Sequence, residues 1–316
     1  MQISQTDLAI IQALADDPRM PNKAIGMRVG VSQQTVAVRL RKLMDGNVIR
    51  VMAQRDLAAV GLPVLALAGI SIDHSDLKAI IRQLGSLPEL FSVAVCPGTP
   101  DIYVNINCPT PEDVEQVAER IRALPGVRHC STMVCRKIFK FVSGAGDLKS
   151  GAARPSLALT QDRLDQFIID QLSDDGRRSL RQIAMSAGVS EGTVRTRLQR
   201  LTDQNIIRVG LICEPDMIGY QFSAYVFFDG EPEAILSAMD AMMPLNEASF
   251  LGVTDAGGGM ALLVARSIVE LHEICIEKLR AVPGIGNVTF RPLAFTTKHN
   301  FDYIHIVGQR FEPLGD

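Results

Sequence analysis

The chain is 316 residues long, with 32 Lys and Arg against 35 Asp and Glu and a formal charge of −3 at neutral pH. A balance so close to neutral excludes a general polyanion binder, so any nucleic-acid surface must be local. The length suggests about two to four domains with ample core, and the most apolar run, Leu62 to Ile70, is about half of what a membrane helix needs.

The start, Met-Gln-Ile-Ser-Gln-Thr-Asp, has neither a basic stretch nor an apolar core. No signal peptide is therefore expected, and the reading is a soluble, cytoplasmic protein. Residues 1–50 are helical in pattern. Ile10, Ile11 and Leu14 share one apolar face, and Pro21 suits the entry to a second short helix that Gly30 ends. Ser32 is a good N-cap for a third helix, because its hydroxyl can accept an orphan amide hydrogen. Val36, Leu40 and Leu43 then stand at i, i+4 and i+7, making one buried stripe. Helix, Gly-Val-Ser turn and an amphipathic helix with arginine outward predict a helix-turn-helix.

Residues 51–142 read β-α-β-β-α-β, with strands over 62–72, 90–95, 101–107 and 127–140. Helices are expected over 75–84, capped by Ser75, and over 111–124. That order predicts a ferredoxin-like sheet with helices on one face and the other face awaiting cover. Residues 143–158, beginning SGAGDLKSGAARPSL, have a linker's composition. A second helical block follows over 159–208 and a second mixed block over 209–316. Its strands are expected at 221–228, 247–253, 260–264 and 286–297, and its helices at 231–242 and 268–281.

The second half restates the first. Gly30-Val31-Ser32 recurs as Gly188-Val189-Ser190, Thr35-Val36 as Thr193-Val194, and Arg39-Leu40 as Arg197-Leu198. Asn47, Ile49, Arg50 and Val51 return as Asn205, Ile207, Arg208 and Val209, each 158 positions on, half of 316. The register recurs far downstream, where Ala123-Leu124-Pro125-Gly126-Val127 faces Ala281-Val282-Pro283-Gly284-Ile285. One long period means two fused copies of a whole subunit rather than a solenoid. The expected fold is α+β: two copies of a winged-type helix-turn-helix followed by a ferredoxin-like βαββαβ domain, the two sheets pairing face to face. Such an intrachain pseudo-dimer can assemble further into a homo-oligomer.

Val-Ser-x-x-Thr-Val-x-x-Arg-Leu and Asn-x-Ile-Arg, followed by that mixed domain, resemble the Lrp/AsnC family of leucine- and asparagine-responsive type regulators. The resemblance covers nearly all of both halves. It implies a transcriptional regulator binding double-stranded DNA, modulated by an amino acid or a relative. It also implies that a Gly-x-x-Asp turn between the second and third strands helps form an effector pocket. Gly98, Thr99 and Asp101 fit that turn in the first half. In the second, Asp255 and Gly257 stand in the corresponding turn, with Gly259 where Asp101 would fall. Plain turn-shaping is the competing reading for Gly98 and Asp101, and a loose hairpin for Gly257–Gly259.

The candidate DNA contacts are Ser32, Gln33, Gln34, Thr35, Arg39, Arg41 and Lys42, with Ser190, Glu191, Thr193, Arg195, Arg197 and Arg200 in the second copy. Guanidinium groups suit phosphate and base edges, Gln can bridge adenine N6 and N7, and Glu only accepts. Against this, an arginine-rich helix face is often merely solvated, and Arg39 and Arg197 equally suit an internal stabilising role. Glu191 suits a helix start as such.

The six cysteines form no CxxC pair and no zinc-spaced cluster with histidine, which fits reduced, buried thiols. Cys130 and Cys135 differ in parity along their strand and should point to opposite faces. The five histidines show no HxxxH or HExxH spacing, and neither a nucleophile elbow nor a phosphate loop occurs. No enzyme activity, metal or cofactor is expected. Two rival readings stand beside the regulator: a fused Lrp-like sirohaem decarboxylase, and a co-assembling partner that has lost DNA or effector binding.

Overall fold

The computed structural model describes residues 3–73, 76–142, 162–213 and 219–304. The expected linker over 143–158, and His74, Ser75 and His305, lie outside them. The first copy opens with α1 (Gln5–Asp16), α2 (Asn22–Val29) and α3 (Gln33–Asp45), then β1 (Ile49–Asp56). It continues with β2 (Val64–Ile72), α4 (Leu77–Ser86), β3 (Leu90–Val95), β4 (Ile102–Cys108), α5 (Pro111–Arg122) and β5 (Val127–Phe141). The second copy follows the same order: α6 (Arg163–Asp174), α7 (Leu180–Ala187), α8 (Glu191–Asp203), β6 (Ile207–Cys213), β7 (Phe222–Gly230) and α9 (Pro232–Met242). It ends with β8 (Ala248–Thr254), β9 (Gly259–Ala265), α10 (Ile268–Cys275) with a π-helical turn over Ile276–Arg280, β10 (Ile285–Pro292), β11 (Phe295–His299) and β12 (Tyr303–Ile304).

Caps explain most helix starts. Ser4 and Asp7 form a reciprocal capping box on α1, and Gly30 ends α2 in the left-handed region at φ 77. The expected helix over 75–84 begins instead at Leu77, because the Asp76 carboxylate accepts the Lys78 amide at 2.9 Å and acts as the cap.

Alternation builds the sandwich. In β2, Ala66, Ala68 and Ile70 face α4 and α5, while Leu65 and Leu67 face the other way. In the second copy, Ala224 and Val226 face α9 and α10, and Tyr225 points to the opposite side. The two remaining faces meet: Leu65, Leu67 and Tyr103 pack with Tyr225, Phe250 and Met260, with the two tyrosine rings 5.2 Å apart. Cys130 and Cys135 fall in different clusters, one under the helices and one between the sheets.

The halves also exchange edge strands, in the order β10-β7-β9-β8-β5-β2-β4-β3-β11. β5 pairs with β2 as far as Val134, and from Cys135 onward with β8 of the second copy. β10 pairs with β7, and β11 crosses to β3 of the first copy. The single strand expected over 286–297 is thus two. At the crossing the Leu293 amide donates to Ser223 and the Ala294 amide to Val95, both at 2.8 Å, so neighbouring residues serve different sheets.

The repeat register is not uniform. Val95 pairs with Ile102 and Val253 with Gly259, so the second turn between these strands is one residue shorter. The structural counterpart of Asp101 is therefore Gly258 rather than Gly259: Cys96 donates to the Asp101 carbonyl as Thr254 does to that of Gly258. The offset of 157 persists to the caps Thr110 and Ser267 and returns to 158 at Leu124 and Val282. The lost residue is restored in the π-helical turn, which accommodates one residue more than an α-helix over the same rise. This turn also ends the helix expected over 268–281.

A second, smaller sheet joins the helical heads. β1 pairs antiparallel with β6, from Ile49 opposite Cys213 to Arg55 opposite Ile207, and β12 lies parallel to β1. The expected divisions after residues 50 and 208 fall inside these strands. Each head completes its core with the other copy's strand: Cys213 packs with Ile10, Val36 and Leu40, and Ala53 with Ile168 and Val194.

Candidate nucleic-acid interface and effector turns

Each recognition helix is fixed by its buried stripe. Val36, Leu40 and Leu43 hold α3, and Val194 and Leu201 hold α8, which leaves the opposite faces in solvent. Gln33, Gln34, Arg41 and Lys42 are exposed on α3, and Glu191, Gly192, Arg195, Gln199 and Arg200 on α8. Val38, absent from the expected contacts, stands among the exposed α3 residues with 69% of its surface accessible.

Several expected contacts have structural duties. Ser32 Oγ accepts the Thr35 amide and Ser190 Oγ the Thr193 amide, both at 3.0 Å, and each serine–threonine hydroxyl pair is 2.9 Å apart. Ser32 and Ser190 thus cap the recognition helices, and Thr35 and Thr193 are tied to the caps. Arg39 Nη1 donates to Ser4 Oγ and Asp7 Oδ1, each at 2.9 Å. Arg197 pairs with Asp162 and Asp165, and Arg200 with Asp165. Arg39, Arg197 and Arg200 each bond a carboxylate of α1, or of α6 and its cap, the internal role that stood beside DNA contact for Arg39 and Arg197. Burial pushes the Asp7 carboxyl up, but hydrogen bonds from Ser4 and Arg39 outweigh it, and the pKa ends below its ordinary value.

Asp165 is 1% exposed and serves two arginines. Asp165→Ala is expected to destabilise the second head by about 1–2 kcal/mol in urea unfolding. That is below the roughly 3–5 kcal/mol of a wholly buried pair, because both guanidiniums keep partial access to water. Asp162→Ala, at the exposed rim, should cost less. An equal cost for the two would contradict this ranking.

The heads are locked to one another by a reciprocal pair absent from the sequence expectations. Arg19 donates to the carbonyls of Gly176 and Arg178. Arg177, its repeat partner, donates to the carbonyls of Pro18 and Met20 and to Asn22 Oδ1, each at 2.8 Å. Recurrence of arginine at 19 and 177 was the available signal, though it lies outside the helix-turn-helix motif. The paired recognition helices consequently present unlike surfaces. On α8, Glu191 and Arg195 neutralise one another at 2.6 Å and Gln199 bonds Asp203 at 2.7 Å, whereas Arg41 and Lys42 on α3 form no ion pair among the described residues.

The two turns differ as well. Asp101 is half-buried, and its Oδ2 accepts the Ile72 amide at 2.9 Å, which shapes the end of β2. Gly98 and Thr99 are exposed at the tip, with Gly98 at φ 109. Arg291 of β10 lies close enough to this corner for its charge to act on Tyr103 and Cys96, while its repeat partner is Met133. In the second copy Asp255 and Gly257 are exposed, and Asp255 Oδ1 accepts the neighbouring Ala256 amide at 3.1 Å. Cys96, at this first corner, feels the charges of both Asp101 and Arg291 from the other copy.

Two fused helix-turn-helix heads on a shared α+β sandwich define the class of protein. The AsnC-type helix-turn-helix domain matches residues 3–44 and 162–202, and the Lrp/AsnC ligand-binding domain matches residues 65–142. A helix-turn-helix transcriptional regulator of Pyrococcus furiosus, itself uncharacterised, is 34% identical over 126 residues, 39% of this chain and 85% of that protein. The transcriptional regulator AldR of Mycobacterium tuberculosis is 28% identical over 152 residues, 46% of this chain and 83% of that protein. The chain belongs to the Lrp/AsnC family. Among solved structures, the sirohaem decarboxylase NirDL superposes with a TM-score of 0.64 over 95% of this chain and 94% of its own. At 13% identity that likeness is one of architecture alone. Among the described residues, no helix is long and apolar enough to cross a membrane.

Proposed function

We propose that this chain regulates transcription by gripping one asymmetric stretch of double-stranded DNA with its two unlike recognition helices, under control of an amino acid or related small molecule. The observation that carries the reading is the pair of solvent-facing helices α3 and α8, joined through the β1–β6 ribbon and the Arg19–Arg177 lock. Gln33, Gln34, Arg41 and Lys42 supply the stronger head. Glu191 holds Arg195 in an ion pair and Gly192 offers no side chain, so the second head contributes less. The effector reading rests on Gly98, Thr99, Asp101 and the nearby Arg291, which could match the ammonium and carboxylate of one amino acid. Beside the turn bearing Asp255 and Gly257, Met133 holds the repeat position of Arg291, which supports fewer effectors per chain than sandwich halves.

Selection of bound DNA from a random pool by the full chain, with and without a panel of amino acids, is the test. Two unlike half-sites are expected, because palindromic operators mirror identical heads. A clean palindrome bound by one chain would overturn the proposal. Absence of any enriched DNA, together with tetrapyrrole absorbance in the purified protein, would favour the decarboxylase reading.

A further inference from the structure

A cavity of about 120 Å³ lies between the two sheets, away from both turns. Its walls come from both copies: Leu65 and Phe91 from the first, and Phe250, Met260, Leu262 and Leu293 from the second. The space exists because Ser92 and Asn105 of the first copy stand where the second has the larger apolar Phe250 and Leu262. Among the described residues, no Lys, Arg, Asp or Glu lines it.

Ser223, Ser249 and Thr296 also line the wall, and a bonded polar station stands beside the aromatic rings. Asn105 Nδ2 donates to Ser92 Oγ at 2.6 Å and to the Tyr225 hydroxyl at 3.0 Å. Tyr225 accepts from Asn105 beside the Ser92 hydroxyl, and burial raises its pKa so that the phenol keeps its proton. His299 also lines the cavity, edge-on to Phe91 at 4.9 Å and tilted against Phe301 at 4.3 Å. Desolvation holds its imidazole down at about 4, so the ring is neutral at neutral pH.

The contents of such a space are constrained by size and charge. A zwitterionic amino acid would enter without an ionic partner for either charge and lose its hydration. Apolar cavities of roughly 150 Å³ take a benzene ring, which sets the size class. We propose that this cavity binds a neutral single-ring molecule bearing one hydroxyl, of the phenol class, with the ring among Phe91, Phe250 and Met260 and the hydroxyl on the Ser92–Asn105–Tyr225 station.

The same wall leads to the DNA-reading heads. Thr296 and His299 of β11 line the cavity, and the chain beyond them grips the ribbon strand β1. The Asn300 amide donates to the Phe91 carbonyl at 2.9 Å, and Gln54 Nε2 donates to the Phe301 carbonyl at 2.8 Å. The Arg55 and Leu57 amides donate to the carbonyls of Asp302 and Ile304, both at 2.8 Å. An occupant pressing on Phe91 and His299 therefore tightens or loosens this strap, and the second part of the proposal is that occupancy reaches β1 by that route. Neither part depends on the DNA-binding reading.

The test uses the full chain with phenol as probe and toluene, benzoate and phenylalanine as comparisons. Calorimetry should show one saturable phenol site per chain, with benzoate and phenylalanine at least tenfold weaker. Ala94→Leu places three further carbons into the cavity from β3 and should abolish phenol binding without lowering the melting temperature. Tyr225→Phe preserves the volume and removes one hydroxyl, so it should weaken phenol several-fold while leaving toluene unchanged; it keeps the test decisive if Ala94→Leu fails to fold. Phenol should also change amide hydrogen exchange at Arg55 and Leu57 several-fold in the wild type. No phenol binding, or equal binding to wild type and a folded Ala94→Leu, overturns the site. Unchanged exchange at Arg55 and Leu57 with the site filled overturns the route to β1.

Discussion

Leu67→Ala is expected to destabilise the whole sandwich by about 2–5 kcal/mol, the range for truncating a fully buried leucine. Leu67 has no accessible surface and lies among Tyr103, Tyr225 and Met260, so its loss opens a void shared by both copies. The surrounding groups can collapse only partly, because β5 and β11 tie each sheet to the other through hydrogen-bonded edges. Calorimetric unfolding should therefore show the two sandwich halves melting together, with the joint transition moved down. Two separate transitions, of which only the first-copy one shifts, would show that the halves fold independently and contradict the shared core.

Arg41→Ala is expected to weaken operator binding by about 1–3 kcal/mol and to relax preference at one base pair, the signature of a guanidinium that reads a base edge. Arg41 projects from the exposed face of α3, while its counterpart Gln199 is already bonded to Asp203. Gln199→Ala should accordingly cost much less. Lys42→Ala provides the contrast: a phosphate contact, once removed, weakens all sequences alike and lowers the salt slope by about one. If Arg41→Ala behaves as Lys42→Ala is expected to, the assignment of base reading to Arg41 is wrong. The measurement is affinity at several salt concentrations on the selected site and on its single-base variants.

Local chemistry determined much of this protein. The stripe Val36, Leu40 and Leu43, the caps Ser32 and Ser190, and the stop at Gly30 depend on neighbours a few residues away, so helical periodicity revealed both recognition helices. Alternation along β2 and β7 likewise showed that each sheet has a second apolar face in need of cover, and duplication named the other sheet as the cover.

Contacts between distant residues decided the rest. That Arg39, Arg197 and Arg200 hold carboxylates of α1, α6 and its cap rather than stand free depends on how helices cross, which periodicity does not encode. Pairing of β1 with β6 and the lock of Arg19 and Arg177 join residues about half a chain apart, and they tie together two heads that the sequence reads as separate. The shift from Gly259 to Gly258 opposite Asp101 required strand pairing, because a one-residue deletion offset by a π-helical insertion leaves the repeat in register at both ends. The cavity beside Tyr225 exists only where the small side chains of one copy face the larger ones of the other, and side-chain volumes across an interface meet only once the chain is folded.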